Sequence, residues 1–299
     1  MKKRILILLA LLVCICASAL AEEDTAALYD QGTEALKAGD YKTAAVYFEK
    51  AAELGHPGAQ HELGVCYRDG NGVEQSDEKA VKYYQMSADQ GYAAGQAALG
   101  YMYAAGRGVE QSYEKAIAYF LPAADQGNAY AQYNLGLSYA YGRGVKQSQE
   151  KAAEYYQLSA DQGYPPALYN LADCYMSGKG VAQSYETAFG LFEKAVDAGH
   201  IGALCNLGYC YEYGYGVEQS YETAAWFFMM GAEAEEPYAL YNLAYCYEKG
   251  QGVEQSYQMA ARYYQRAYRQ NHPQALDALN RLYKYKYIPA DFDPEAERE

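Results

Sequence analysis

An all-α fold, an α-solenoid of stacked antiparallel helical hairpins, is predicted by three observations on this sequence. A motif Gly-x-Gly-Val-x-Gln-Ser starts at Gly70, Gly106, Gly142, Gly178, Gly214 and Gly250, each 36 residues after the last. Upstream of each copy runs Leu-[Gly/Ala]-x-x-Tyr, with Leu63, Leu99, Leu135, Leu171, Leu207 and Leu243 leading to Tyr67, Tyr103, Tyr139, Tyr175, Tyr211 and Tyr247. Downstream come Ala80, Ala116, Ala152, Ala188, Ala224 and Ala260, followed four residues on by Tyr84, Phe120, Tyr156, Phe192, Phe228 and Tyr264. A fixed period of this size marks a repeat array, and i, i+4 spacing within each half marks a helix. Each unit therefore reads as helix A, a loop and helix B, and such units bury a core only by stacking on their neighbours.

The elements follow in order. Residues 1–21 have a basic start (Lys2, Lys3, Arg4), an apolar run from Ile5 and a small-residue end, Ala19-Leu20-Ala21. That is the pattern of a Sec-type signal peptide cleaved near Ala21, which places the remainder outside the cytoplasm, secreted or periplasmic. The apolar run is short against the roughly 20 residues a membrane span needs. Cys14 and Cys16 lack the small preceding residue that lipoprotein signals use. Residues 22–58 read as one hairpin without the Gly-x-Gly insertion, marked by Gly32, Gly39, Tyr41, Ala44, Phe48 and Ala51. Six repeats fill 59–274, as 59–94, 95–130, 131–166, 167–202, 203–238 and 239–274. Residues 275–288 read as a capping helix, with Ala275 and Leu279 in register, and 289–299 as an acidic tail.

Local chemistry punctuates each repeat. The first glycine of Gly-x-Gly can take the left-handed conformation that ends helix A. Ser76, Ser112, Ser148, Ser184, Ser220 and Ser256 stand where helix B needs an N-cap, and five of them have Glu two residues later, favourable in a first turn. The motif valine should plug the gap between the two helices. Asp-Gln-Gly (89–91, 125–127, 161–163) ends helix B, and Glu235 and Asn271 replace that glycine later on, so different connections are expected there.

These motifs resemble the Sel-one-like repeat (SLR) family, a longer-looped relative of tetratricopeptide repeats, and 22–58 resembles one ordinary tetratricopeptide unit. The resemblance covers nearly all of the chain after residue 21. It implies a non-catalytic protein- or peptide-binding protein, an adaptor or regulator of a bacterial envelope or secretion process. It also implies stacking in the tetratricopeptide manner, with one face of helix A lining a concave surface.

That face holds the positions two before, two after and six after each repeat leucine. They read Tyr133, Tyr169 and Tyr241; Tyr101, Tyr209 and Tyr245; Tyr141 and Tyr213. A tyrosine offers apolar area, a hydroxyl and little rotamer entropy, which suits recognition. The same rings could instead pack against adjacent helices. Before the leucine stands Asn134, Asn170, Asn206 or Asn242 in four consecutive repeats. An amide can pair with the backbone of an extended peptide, as inner-face asparagines do in tetratricopeptide proteins, or bond between repeats. Asp173, Met176, Glu212, Glu248 and Lys249 lie nearby.

Charge narrows the partner. Against 24 Lys and Arg stand 38 Asp and Glu, a net −14 over 299 residues, and signal cleavage would remove three positives. Such a field repels phosphate backbones, so nucleic acid is disfavoured and a basic segment favoured. A monomer without cofactor or metal is expected. Cys66, Cys174, Cys210 and Cys246 share one register and read as buried thiols, unlike the disulfide-tied, cysteine-rich SLR proteins, while Cys205 falls on the proposed binding face. His56, His61, His200 and His272 have no metal-ligand spacing with any cysteine. Ser-x-x-Lys at Ser76–Lys79, Ser112–Lys115 and Ser148–Lys151 lacks the partner motifs of penicillin-recognising enzymes and falls on helix N-caps. Two other readings stay open. An enzyme acting on cell-wall or carbohydrate material needs a paired acid and base in a cleft, which the sequence does not display. A secreted effector engaging host proteins would use the same binding physics.

Overall fold

Residues 25–289 are described in a computed structural model. The expected signal peptide and the acidic tail beyond residue 289 lie outside them. Fifteen α-helices and no strand occur among the described residues. They are α1 (25–37), α2 (Tyr41–Glu53), α3 (Pro57–Asp69), α4 (Asp77–Asp89), α5 (Ala93–Ala105), α6 (Tyr113–Asp125) and α7 (Ala129–Tyr141). Then follow α8 (Gln149–Ala160), α9 (Pro165–Ser177), α10 (Tyr185–Asp197), α11 (Gly202–Tyr213), α12 (Tyr221–Glu233), α13 (Pro237–Lys249), α14 (Tyr257–Arg269) and α15 (Ala275–Lys284). The chain divides into two compact units, one ending at Ser148 and one beginning at Gln149.

Within the first unit α3 packs on α4, α5 on α6, and each hairpin stacks on the next through α4–α5 and α6–α7. The second unit repeats the scheme with α9–α10, α11–α12 and α13–α14, and α15 closes on α14. The core is what the two motifs predict. The repeat leucines are buried, as are the helix-B alanines, and the aromatics Tyr84, Phe120, Phe192, Phe228 and Tyr264 are at most 1% exposed. The small residue after the leucine is explained by that ring: a Cβ on Gly64 would lie 2.6 Å from the Tyr84 ring.

The A–B loop is locally determined. The first glycine of all six motifs caps helix A in the left-handed region, φ between 67° and 73°. Ser76, Ser112, Ser184, Ser220 and Ser256 accept from the backbone N–H three residues on. The Ser-x-x-Lys spacing at Ser76 and Ser112 is therefore a capping geometry. The motif glutamine has a task unread from sequence. From Gln75, Gln111, Gln147, Gln183, Gln219 and Gln255 the amide donates to the carbonyl seven residues back, at 2.7–2.9 Å. It satisfies one of the orphan carbonyls at the end of helix A.

The second glycine serves stacking. Gly252 has φ +71°, and a Cβ there would overlap the Tyr221 carbonyl at the start of helix B in the preceding repeat. The B–A turns are more uniform than expected. Glu235 (φ 56°) and Asn271 (φ 62°) adopt the same left-handed conformation as the glycines they replace. Asn tolerates that region readily, and Glu235 is tied to Arg266 at 2.6 Å. After α15, Ile288 returns to the core at 2% exposure.

Candidate functional site

The helix-A positions proposed for binding occur in both units. In the first unit α3, α5 and the start of α7 enclose a cleft of about 280 Å³. His61 and Arg68 line it from α3, Ala94, Ala97, Ala98 and Tyr101 from α5, and Asn128 and Tyr130 from the entry to α7. Tyr101 meets Tyr130 edge-on, their centroids 6.4 Å apart. Tyr141 is 64% exposed, with the Arg143 guanidinium 5.0 Å from its ring centroid. Tyr133 and Asn134 are half-buried. The Asn134 amide donates to the Tyr130 carbonyl one turn back, at 2.8 Å.

In the second unit the tyrosines fall into two groups. Tyr169 and Tyr241, two before their leucines, serve packing as well as surface. Tyr169 stacks on His200 at 4.5 Å and meets Phe192 edge-on; Tyr241 stacks on His272 at 4.3 Å and leans on Tyr264. Tyr29 and His56 form the same pair in the first unit, at 4.6 Å. These three histidines share one register, since 56, 200 and 272 differ by multiples of the 36-residue period. Reading that register would have found them. Burial holds all three imidazoles below their ordinary value.

Tyr209, Tyr213 and Tyr245 form the other group. Tyr213 is 55% exposed and stacks on Tyr209 at 6.3 Å and on Tyr215 at 5.6 Å. Tyr215 in turn stacks on Tyr185 at 4.5 Å, which completes a ladder of four rings. Half-buried Tyr245 lies 5.4 Å from the Lys249 ammonium.

The asparagines are largely engaged within the chain. Asn242 is buried, its carbonyl accepting from the Tyr209 hydroxyl at 3.1 Å and its amide reaching Cys205 Sγ at 3.2 Å. Asn206 likewise hydrogen-bonds Tyr169. Asn170 is half-buried. These bonds link one repeat to the next and depend on which side chain the neighbour supplies.

Cys205 is buried beneath Asn242 and not presented on the binding face, contrary to expectation. All five cysteines among the described residues are buried free thiols. Burial pushes Cys66 and Cys174 up to about 11 and Cys205, Cys210 and Cys246 up to about 12, values at which a thiol is unreactive near neutrality. No group of His, Cys, Asp and Glu among the described residues is arranged to hold a metal ion. No helix among them is long and apolar enough to cross a membrane.

The sequence missed Glu248 as a hub. Its carboxylate is 5% exposed and receives the Tyr264 hydroxyl at 2.9 Å, the Arg281 guanidinium at 2.6 Å and the Lys249 ammonium at 3.2 Å. Burial alone would raise Glu248, but these three donors outweigh it and hold the carboxyl below its usual value. The network ties α15 to α13 and α14.

Known proteins agree with this architecture. The chain is similar to the protective antigen c5321 present in uropathogenic Escherichia coli strains, which displays an SLR fold, with 32% identity and a TM-score of 0.75. That match covers 89% of this chain and 58% of the antigen's. A Sel1 repeat protein from Oxalobacter formigenes is 26% identical with a TM-score of 0.73, over 80% of this chain and 96% of its own. A 50-residue stretch is 46% identical to the DAP3-binding cell death enhancer 1 of Rattus norvegicus, 17% of this chain and 10% of that protein. The Sel1 repeat family model matches seven consecutive segments: 19–56, 57–92, 93–128, 129–164, 165–200, 201–235 and 237–272. Its first segment spans the unit likened above to a tetratricopeptide repeat, where α1 and α2 are joined by three residues, 38–40. With these matches running over most of its length, the chain belongs to the Sel1 repeat family.

Proposed function

We propose that this Sel1 repeat protein is a non-catalytic adaptor or regulator of a bacterial envelope or secretion process, acting outside the cytoplasm. It binds an extended protein segment along its helix-A face and carries no catalytic residue in that role. Sel1 repeat proteins are scaffolds that generally bind proteins, which supports the class. The observation that carries the reading is the exposure of Tyr141 and Tyr213, large rings at one register at the end of helix A. Large exposed rings on a pre-organised scaffold are what recognition surfaces use. Because Asn134, Asn206 and Asn242 are engaged within the chain, the tyrosines carry most of the recognition and Asn170 the backbone pairing. The acidic balance favours a basic partner segment.

The test is capture from envelope extract, with cross-linking and mass spectrometry to map the contact. Wild type is compared with a Tyr101→Ala, Tyr141→Ala, Tyr213→Ala variant of equal melting temperature. The expected result is a partner cross-linked to α5, α7 or α11 and lost from the variant. Equal capture by both proteins overturns the assignment.

A further inference from the structure

Glu212 on α11 and Glu248 on α13 occupy the same position one repeat apart. At Glu248 the site is filled from within the chain, by the Tyr264 hydroxyl, Arg281 and Lys249. Moving each partner back by 36 residues gives the surroundings of Glu212. Tyr264 becomes Phe228, which has no hydroxyl; Arg281 becomes Tyr245; Lys249 becomes Tyr213. Glu212 keeps one donor, the Tyr213 hydroxyl, and has no lysine or arginine partner among the described residues. It is half-buried on the proposed binding face, with Tyr213 next to it and Tyr209 stacked on Tyr213 at 6.3 Å. What remains is a half-buried carboxylate beside the Tyr213 ring, without the cation that α15 supplies to Glu248.

We infer that Glu212, Tyr209, Tyr213 and Tyr245 form the docking site for an arginine side chain of the bound protein segment, held as Arg281 is held on Glu248. The inference rests on the helix-A face being the binding surface. Arginine fits better than lysine because the cation that reaches Glu248 from α15 is the Arg281 guanidinium, at 2.6 Å against 3.2 Å for the adjacent Lys249, and a planar guanidinium can meet a carboxylate edge-on while stacking on a ring. The electrostatics agree. Burial holds Glu212 above the ordinary carboxylate value, whereas Glu248, with its cations in place, is held below it. A cation from outside would supply what the chain withholds.

The probe is a fluorescein-labelled Gly-Ser-Arg-Ser-Gly peptide, compared with the same peptide carrying citrulline, which keeps the shape and loses the charge. Wild type should bind the arginine peptide saturably and the citrulline peptide at least about tenfold more weakly, the range for a charged hydrogen-bonded contact. Glu212→Gln should weaken the arginine peptide by a similar factor. Tyr245→Arg, which rebuilds the Glu248–Arg281 pair one repeat earlier, should abolish binding while raising the melting temperature. Equal affinity for the two peptides, equal affinity of wild type and Glu212→Gln, or no saturable binding overturns the inference. If Glu212→Gln still captures the envelope partner and the triple tyrosine variant does not, the arginine site falls and the binding face stands. If both variants capture it, both fall.

Discussion

The hairpins α3/α4 and α13/α14 place a tyrosine at the same buried position, and the two rings are treated differently. Tyr84 and Tyr264 are both fully enclosed. Tyr264 donates its hydroxyl to Glu248 at 2.9 Å. At the position equivalent to Glu248 the first repeat has Arg68, which turns to its neighbour Asp69 in a two-pronged pair at 2.7 Å. The Tyr84 hydroxyl is left buried without a partner. The repeat decides where a ring goes, while a side chain outside the motif decides what becomes of its polar tip. Burying an unmade hydrogen bond costs about 1–3 kcal/mol, so equal packing hides unequal energies.

Three experiments can break or sharpen this contrast. The largest effect is expected from Glu248→Ala, which leaves the Tyr264 hydroxyl and Arg281 without their acceptor. Arg281 is 42% exposed, so the loss should be about 2–3 kcal/mol, below that of a fully buried ion pair. Urea unfolding measures it, and a loss under about 0.5 kcal/mol, typical of a surface substitution, would mean that Glu248 is no hub. The second compares two phenylalanine substitutions. Tyr264→Phe should cost about 1–2 kcal/mol, whereas Tyr84→Phe, which removes an unpaired hydroxyl, should be neutral or stabilising by up to about 1 kcal/mol. Equal losses at both sites would erase the contrast.

The third and smallest effect is read against pH. Glu248 titrates below the ordinary glutamate value in the folded chain, so its contribution is present above that value and fades as pH falls through the folded one. The deficit of Glu248→Gln should therefore shrink on acidification. Burial raises Glu212 above the ordinary glutamate value, so whatever it contributes is present below that value and is lost as pH rises through the folded one. Glu212→Gln should match wild type in acid and exceed it at neutral pH. Parallel pH profiles for the two variants would show that the two carboxylates are equivalent after all.

Much of the fold could be read in advance because its signals are local. A glycine at the end of helix A, a serine before helix B and an aromatic four residues after an alanine act within a few residues, and all recur at 36. The proposed binding face was legible as a register but not as a surface. Eight tyrosines looked alike, yet Tyr141 and Tyr213 stand in solvent while Tyr169 and Tyr241 lie on histidines. The distinction rests on residues about 30 positions away, which no spacing within one repeat reveals. For the same reason the register leaves the asparagines between pairing with a peptide and bonding across repeats, and the structure has Asn242 holding Tyr209 and Cys205 of the preceding repeat.

By itself, then, the sequence determined the hairpin, the period and the caps, because helix propensity, capping and left-handed turns are decided by a residue and its near neighbours. Only the stacked structure decided what the second glycine is for and which polar groups are satisfied. Gly252 must be glycine because the Tyr221 carbonyl of the preceding repeat occupies the space of a side chain. Glu248 is paired because α15 brings Arg281 to it, and Glu212 lacks that cation because the next repeat has Tyr245 at the same position. Hydrogen bonds and ion pairs need partners at about 3 Å, and in a stack of repeats those partners come from the neighbouring copy.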